Sequence, residues 1–204
     1  MPVSKTKAKL VDVARQLFAK MGVENTTMND IALASKKGRR TLYTYFKNKE
    51  DVYLAVVESE LDILLDTMKR VADKNISPDA KMLEMIYARL DVVKEVVYRN
   101  GTLRADFFRD IWRVEKVRKR FDEKEIQLFK EVLREGVEEG VFRIDDIDMT
   151  AELVHYCVKG IEVPYIRGHI GANLDDETRD KYVARIVFGA LRRTAMPKTP
   201  QCEE

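Results

Sequence analysis

Two arginines, two threonines and a tyrosine crowd into Arg39-Arg40-Thr41-Leu42-Tyr43-Thr44. If Leu42 and Phe46, four residues apart, form the inner face of a short helix, then Arg39, Arg40, Thr41, Tyr43 and Thr44 are left on its free face. A guanidinium can donate to O6 and N7 of guanine together, worth about 1–3 kcal/mol of discrimination, and a threonine methyl can meet that of thymine. Backbone N–H groups at the helix starts near Thr27 and Asn48 can hold phosphates, and Lys49 adds a charge beside the second. The forked donors would read sequence, and the N–H groups and the lysine would position the chain.

Other constellations in the chain are weaker. Glu152-x-x-His155 has the spacing that puts a carboxylate and an imidazole on one helical face, as in di-iron helical bundles. Such a site needs a second copy, but the other histidine, His169, has Ile166 three residues before it. Cys157 lies two residues from His155, which turns the side chains about 200° apart around a helix and does not favour a nucleophile with its base. Cys157 and Cys202 stand 45 residues apart without a C-x-x-C, so reduced structural thiols are expected. No catalytic residue, cofactor or metal is expected.

Charge supports the first constellation. Net charge over the 204 residues is only +2, yet residues 1–50 hold eleven Lys/Arg against four Asp/Glu, leaving 26 against 31 for the rest. A basic head on a mildly acidic body suits a phosphate-binding module carried by a part with another task. With 45% hydrophobic and 35% charged residues, nine Gly and five Pro, the composition excludes disorder and collagen. Uncharged apolar runs fall short of a membrane span, and the lysines of MPVSKTKAKL break any signal peptide, so a cytoplasmic protein is expected.

The elements that must position these residues are helices, and no period-2 alternation bounded by hairpin turns is found. Leu10, Val11, Ala14, Leu17, Phe18 and Met21 form one helical stripe that stops at Gly22. Thr27 opens the next helix with an Asp30 capping box, Ile31 and Ala34 supplying the inner face. Asn48 with Asp51 caps a long helix over 49–73, with Val52, Ala55, Val56, Leu64, Leu65 and Met68 inward. Further helices are expected at 79–99, 103–110, 112–139, 148–167 and 175–195, with a flexible tail at 197–204. Three short helices, the second and third joined by the tight basic turn Lys36-Lys37-Gly38, match a helix-turn-helix. The fold class is all-α: a head at 1–48, joined by a long helix to a helical domain at 49–196.

Ala14-Arg15-Gln16-Leu17-Phe18, Gly22, Thr26-Thr27, Asp30-Ile31-Ala32, Leu42-Tyr43-x-Tyr45-Phe46 and Lys49-Glu50-Asp51 together resemble the DNA-binding signature of TetR-family transcriptional regulators. The resemblance covers residues 8–56 without a gap; beyond it only length and helical layout are similar. It implies that Tyr43, Tyr45 and Lys49 contact the DNA backbone or base edges, and that the helix from Lys49 leads to a dimeric, ligand-sensing bundle. With the basic turn, the expected DNA-facing set is Thr26, Thr27, Lys36, Lys37, Arg39, Arg40, Thr41, Tyr43, Thr44, Tyr45 and Lys49. At the turn, Lys36-Lys37-Gly38 replaces the family's common Gly-Val-Ser, so a looser turn is expected, and Arg40 stands where Gly is common.

In the body, Phe107, Phe108 and Trp112 cluster near a helix break, and with Tyr87, Phe129 and His155 they could line an apolar pocket with a few polar tips. Gly160, Val163, Ile186, Gly189 and Ala190 lie on the last two helices, which resemble the pair through which the family dimerises. The expected protein is a homodimeric repressor that binds a double-stranded operator and is released by a small apolar or aromatic effector. An effector-independent regulator or activator of the same fold is the alternative, and a metalloenzyme using Glu152 and His155 is the rival from another class.

Overall fold

The computed structural model describes residues 5–99, 111–171 and 173–189. Among them it is helical, without a strand: α1 (Lys5–Met21), α2 (Met28–Ala34), α3 (Arg39–Tyr45), α4 (Lys49–Ala72), α5 (Pro78–Arg99), α6 (Ile111–Glu138), α7 (Ile147–Ile166) and α8 (Asp176–Gly189). The fold class is the one the periodicity predicts. The helix expected at 103–110 and the stretch beyond 189 lie outside the described residues.

Local chemistry explains the boundaries. On α1, Leu10, Val11, Ala14 and Phe18 are buried, Leu17 and Met21 half-buried, and the helix stops where Gly22 takes a φ of 86°. Thr27 caps α2: its hydroxyl oxygen accepts the Asp30 N–H at 3.2 Å while the Asp30 carboxylate accepts the Thr27 N–H at 2.8 Å. The inner face of α2 is Ile31 with Ala32, whereas Ala34, expected inward, is exposed. In so short a helix the tight turn that follows, rather than the i, i+3 rhythm, sets which residues face the core. For α4, the Asn48 side-chain oxygen accepts the Asp51 N–H at 2.8 Å and the Asp51 carboxylate accepts the Lys47 N–H at 2.9 Å.

The chain packs as two units. The first is drawn from residues up to Lys69 and from Ala88–Glu125. Its principal core joins α1, α2, α3 and the first turns of α4 through Leu10, Phe18, Ile31, Leu42, Phe46, Val52 and Val56, with Phe18 and Tyr53 edge to face at 6.3 Å. Arg89 of α5 and Glu125 of α6 form a buried ion pair in the same unit, and Arg120 of α6 reaches Glu58 of α4 at 3.5 Å.

The second unit is drawn from Arg70–Tyr87 and from Ile126 onward. Lys81 of α5 donates to both carboxylate oxygens of Glu135 on α6, at 2.6 and 2.8 Å. The Arg179 guanidinium of α8 lies 4.7 Å from the Tyr165 ring of α7. Phe142 folds back on α6 at Gly136, where a Cβ would lie 2.1 Å from the ring. No helix among the described residues is long and apolar enough to cross a membrane.

Candidate DNA interface

The turn between α2 and α3 is built by the backbone. Lys37 N–H donates to the Ala32 carbonyl at 3.1 Å and Lys36 N–H to that of Leu33 at 3.0 Å, the paired bonds of a Schellman closure. That closure needs a left-handed residue, and Lys36 supplies it with a φ of 55°. The end of α6 makes the same pair, Val141 to Gly136 at 2.8 Å and Gly140 to Val137 at 3.1 Å, with Gly140 at a φ of 73°. Lys36 thus carries a left-handed strain of about 1–2 kcal/mol that Gly140 does not. The looser turn expected from the missing glycine is not found: the hydrogen bonding is complete, and the cost sits in the Lys36 backbone. Lys36 is exposed, Lys37 half-buried, and the Ser35 hydroxyl donates to the Ala32 carbonyl at 3.0 Å.

Gly38 caps α3 in an extended conformation, its carbonyl accepting the Leu42 N–H at 3.2 Å. Leu42 is fully buried and Phe46 nearly so, which fixes the rotation of α3. Arg39, Arg40, Tyr43, Thr44 and Tyr45 are exposed as a result, and Thr41 is half-buried at the edge of that face. The Thr44 hydroxyl donates to the Arg40 carbonyl at 2.9 Å, which leaves its oxygen free to accept. Two guanidinium forks and two phenols therefore share the free surface of one short helix.

At the flanks, Thr27 is exposed beside the first N–H groups of α2. Its hydroxyl also donates to Asp30 at 2.6 Å, and this bond, followed by the Thr27 N–H, holds the Asp30 carboxyl below the usual Asp value. Thr26 is fully buried and its hydroxyl donates to the Gly22 carbonyl at 2.7 Å, so its side chain is closed off from any DNA. Lys49 is half-buried, and its ammonium donates to the carbonyls of Val23 at 2.7 Å and Glu24 at 3.0 Å.

Residues 10–56, from the first buried residue of α1 to Val56 of α4, match the model of the family described as bacterial regulatory proteins, tetR family. Over these residues the chain matches the TetR family of transcriptional regulators. It is 24% identical over 158 residues to the HTH-type transcriptional regulator QacR of Staphylococcus aureus, covering 76% of this chain and 83% of that protein. With the HTH-type transcriptional repressor KstR2 of Mycolicibacterium smegmatis it shares 28% identity over 152 residues, 72% of each chain. The crystal structure of a transcriptional regulator from Cytophaga hutchinsonii has the same fold, with a TM-score of 0.72 at 24% identity over 90% of this chain and 97% of that one.

Beyond the matched head, the other sequence-predicted residues fall as follows. Phe129 and His155 are fully buried and Tyr87 half-buried, all three in the second unit. Phe107 and Phe108 lie outside the described residues; Trp112 is in the first turn of α6, with its side chain outside them. The His155 ring lies edge to face with exposed Tyr156 at 4.8 Å, whereas Glu152, three residues earlier, is exposed. Among the residues expected at a dimer interface, Gly160 is exposed with no atom within 4 Å of an added Cβ, and Ile186 is 76% exposed. Val163 and Gly189 lie within α7 and α8 with side-chain surroundings outside the description, as is Ala190 altogether.

Sequence reasoning missed the apolar stripe around Gly160. Met149, Leu153 and Tyr156 precede it on α7 at intervals of four and three, all more than half exposed, and Tyr182 on α8 is exposed one turn before Ile186. The spacing was visible, but the same rhythm describes a stripe facing a protein's own core.

Proposed function

We propose that this TetR-family regulator is a homodimeric repressor that holds a double-stranded operator through α3 and leaves it when a small apolar or aromatic effector binds the body. The exposed α3 face carries the reading. Arg39 and Arg40 present forked donors for base edges, Thr44 and Tyr43 add hydroxyls, and Lys36 and Lys37 place charge at the adjoining turn. Thr27 with its helix start and Tyr45 are assigned to phosphates, and Thr41 to the rim of the face. Residues 1–48 serve as the DNA-binding domain, 49–196 as the sensing and dimerising domain, and 197–204 as a tail. A cytoplasmic location is consistent with a DNA partner.

Two observations support the finer points. The stripe Met149, Leu153, Tyr156 and Gly160 on α7, and the exposed Tyr182 and Ile186 on α8, offer apolar groups of the kind that a second copy covers. Buried Phe129 and His155, with half-buried Tyr87, bring aromatic area and polar tips into the second unit, which suits a mostly apolar ligand. An effector that binds one arrangement of the dimer better than the other lowers DNA affinity by that difference, and DNA lowers effector affinity equally.

The test is selection of a duplex from a randomised pool by the native protein. Arg39→Ala and Arg40→Ala are each expected to relax the base preference at one position of the selected site, by about 5- to 100-fold, with little change on a scrambled duplex. Equal losses on both duplexes would remove α3 as the reading element. Apolar compounds that release the selected duplex support the sensing part, and failure of a broad set to do so favours the effector-independent regulator.

A further inference from the structure

Lys49 opens α4 with a charge that would conventionally lie against a phosphate. In this chain the ammonium is occupied inside the head, donating to the carbonyls of Val23 at 2.7 Å and Glu24 at 3.0 Å. Those carbonyls follow closely on α1, whose last residue is Met21, just past the turn at Gly22. The same reversal uses the Asn25 amide, donating to the Met21 carbonyl at 2.9 Å, and the Thr26 hydroxyl, donating to the Gly22 carbonyl at 2.7 Å. Lys49, unlike these two, reaches in from another element. Its charge sits at the negative end of α1, where a cation is favoured, and both bonds are charge-assisted.

The connection joins two particular places. Val23 and Glu24 lead within four residues to Thr27, the cap of α2, and Lys49 likewise follows within four residues of Tyr45, the end of α3. We propose that Lys49 is a positioning residue: it ties the exit of the recognition helix to the entrance of the bracing helix and so fixes the angle at which Arg39 and Arg40 are offered to DNA. A lysine that neutralised a phosphate would contribute equally to every sequence. One that sets the angle of α3 contributes to the site α3 is shaped for.

This rests on α3 reading DNA, and the experiment separates the two ideas. Lys49→Met and Lys49→Gln are compared with the native protein on the duplex the native protein selects and on a scrambled duplex of equal length, over a series of salt concentrations. Circular dichroism confirms that each variant is folded. Loss of a phosphate contact lowers the slope of log affinity against log salt by about 0.9 per subunit on both duplexes. The positioning role leaves the slope unchanged and lowers the ratio of selected to scrambled affinity, by at least about fivefold for Lys49→Met. Lys49→Gln, which keeps a donor but no charge, recovers part of that ratio. A reduced slope with an unchanged ratio in either variant overturns the assignment, as does no change in either quantity. A native protein that selects no duplex at all takes the α3 reading down with it.

Discussion

The carboxylate of Glu60 lies 2.6 Å from Nε of Arg15, with side-chain exposures of only 8% and 16%. The same guanidinium donates to the Ser59 hydroxyl at 2.8 Å and to Asp12 at 2.9 Å, so one arginine of α1 holds two successive residues of α4. Removing either partner leaves a largely desolvated charge. Glu60→Ala and Arg15→Ala are each expected to lower stability by about 2 kcal/mol, below the range for fully buried pairs because Arg15 keeps some solvent. Replacing both with leucine should be milder than either single change. Urea unfolding measures all three, and additive losses would show that the residues do not act as a pair.

Lys36 and Gly140 occupy the same position of the same turn motif. Lys36→Gly relieves the left-handed strain and is expected to raise stability by about 1 kcal/mol, while Gly140→Ala should lower it by a similar amount. The Lys36 change also removes an exposed charge, so weaker DNA binding should accompany the higher unfolding midpoint. A destabilised Lys36→Gly variant would mean that the side chain contributes more than the backbone loses.

Asp30 connects the head to pH. Its carboxyl is held below the ordinary 3.8 first by the Thr27 hydroxyl and then by the Thr27 N–H. A carboxyl with a depressed folded value stabilises the fold above its unfolded value, and that contribution is lost as pH falls through the folded one. Stability of the native protein should therefore decline on acidification below about 3.8 more steeply than that of Asp30→Asn. Parallel acid profiles from urea titrations would show that the capping carboxylate does not titrate with folding.

The exposed α7 stripe gives a direct test of assembly. Leu153→Asp places a charge in the middle of Met149, Leu153, Tyr156 and Gly160 without disturbing a buried contact, since Leu153 is 57% exposed. Sedimentation should show a native dimer and a monomeric variant of nearly unchanged helix content. An unchanged dimer would move the interface to another surface.

Much of the head was legible in the sequence because its signals are local. The Thr27–Asp30 box, the Asn48–Asp51 cap, the stop at Gly22 and the inward pair Leu42 and Phe46 each involve residues within four positions of one another, where backbone geometry dictates the outcome. The free face of α3 follows once Leu42 and Phe46 are committed to the core. Composition and periodicity likewise sufficed for the all-helical class.

Tertiary structure decided whatever depends on partners far along the chain. Ala32 and Ala34 are equally apolar, and the Schellman closure at Lys36 turned the first inward and the second out. Thr26 and Thr27 are the same residue type side by side, yet one is sealed under the Gly22 carbonyl and the other stands at a helix start. Lys49 reads as a surface cation until Val23 and Glu24, 26 and 25 residues earlier, are brought beneath its ammonium. A sequence specifies what each side chain can donate, accept or bury, but which of those capacities is already satisfied within the protein, and which is left for DNA, is fixed only when distant segments meet.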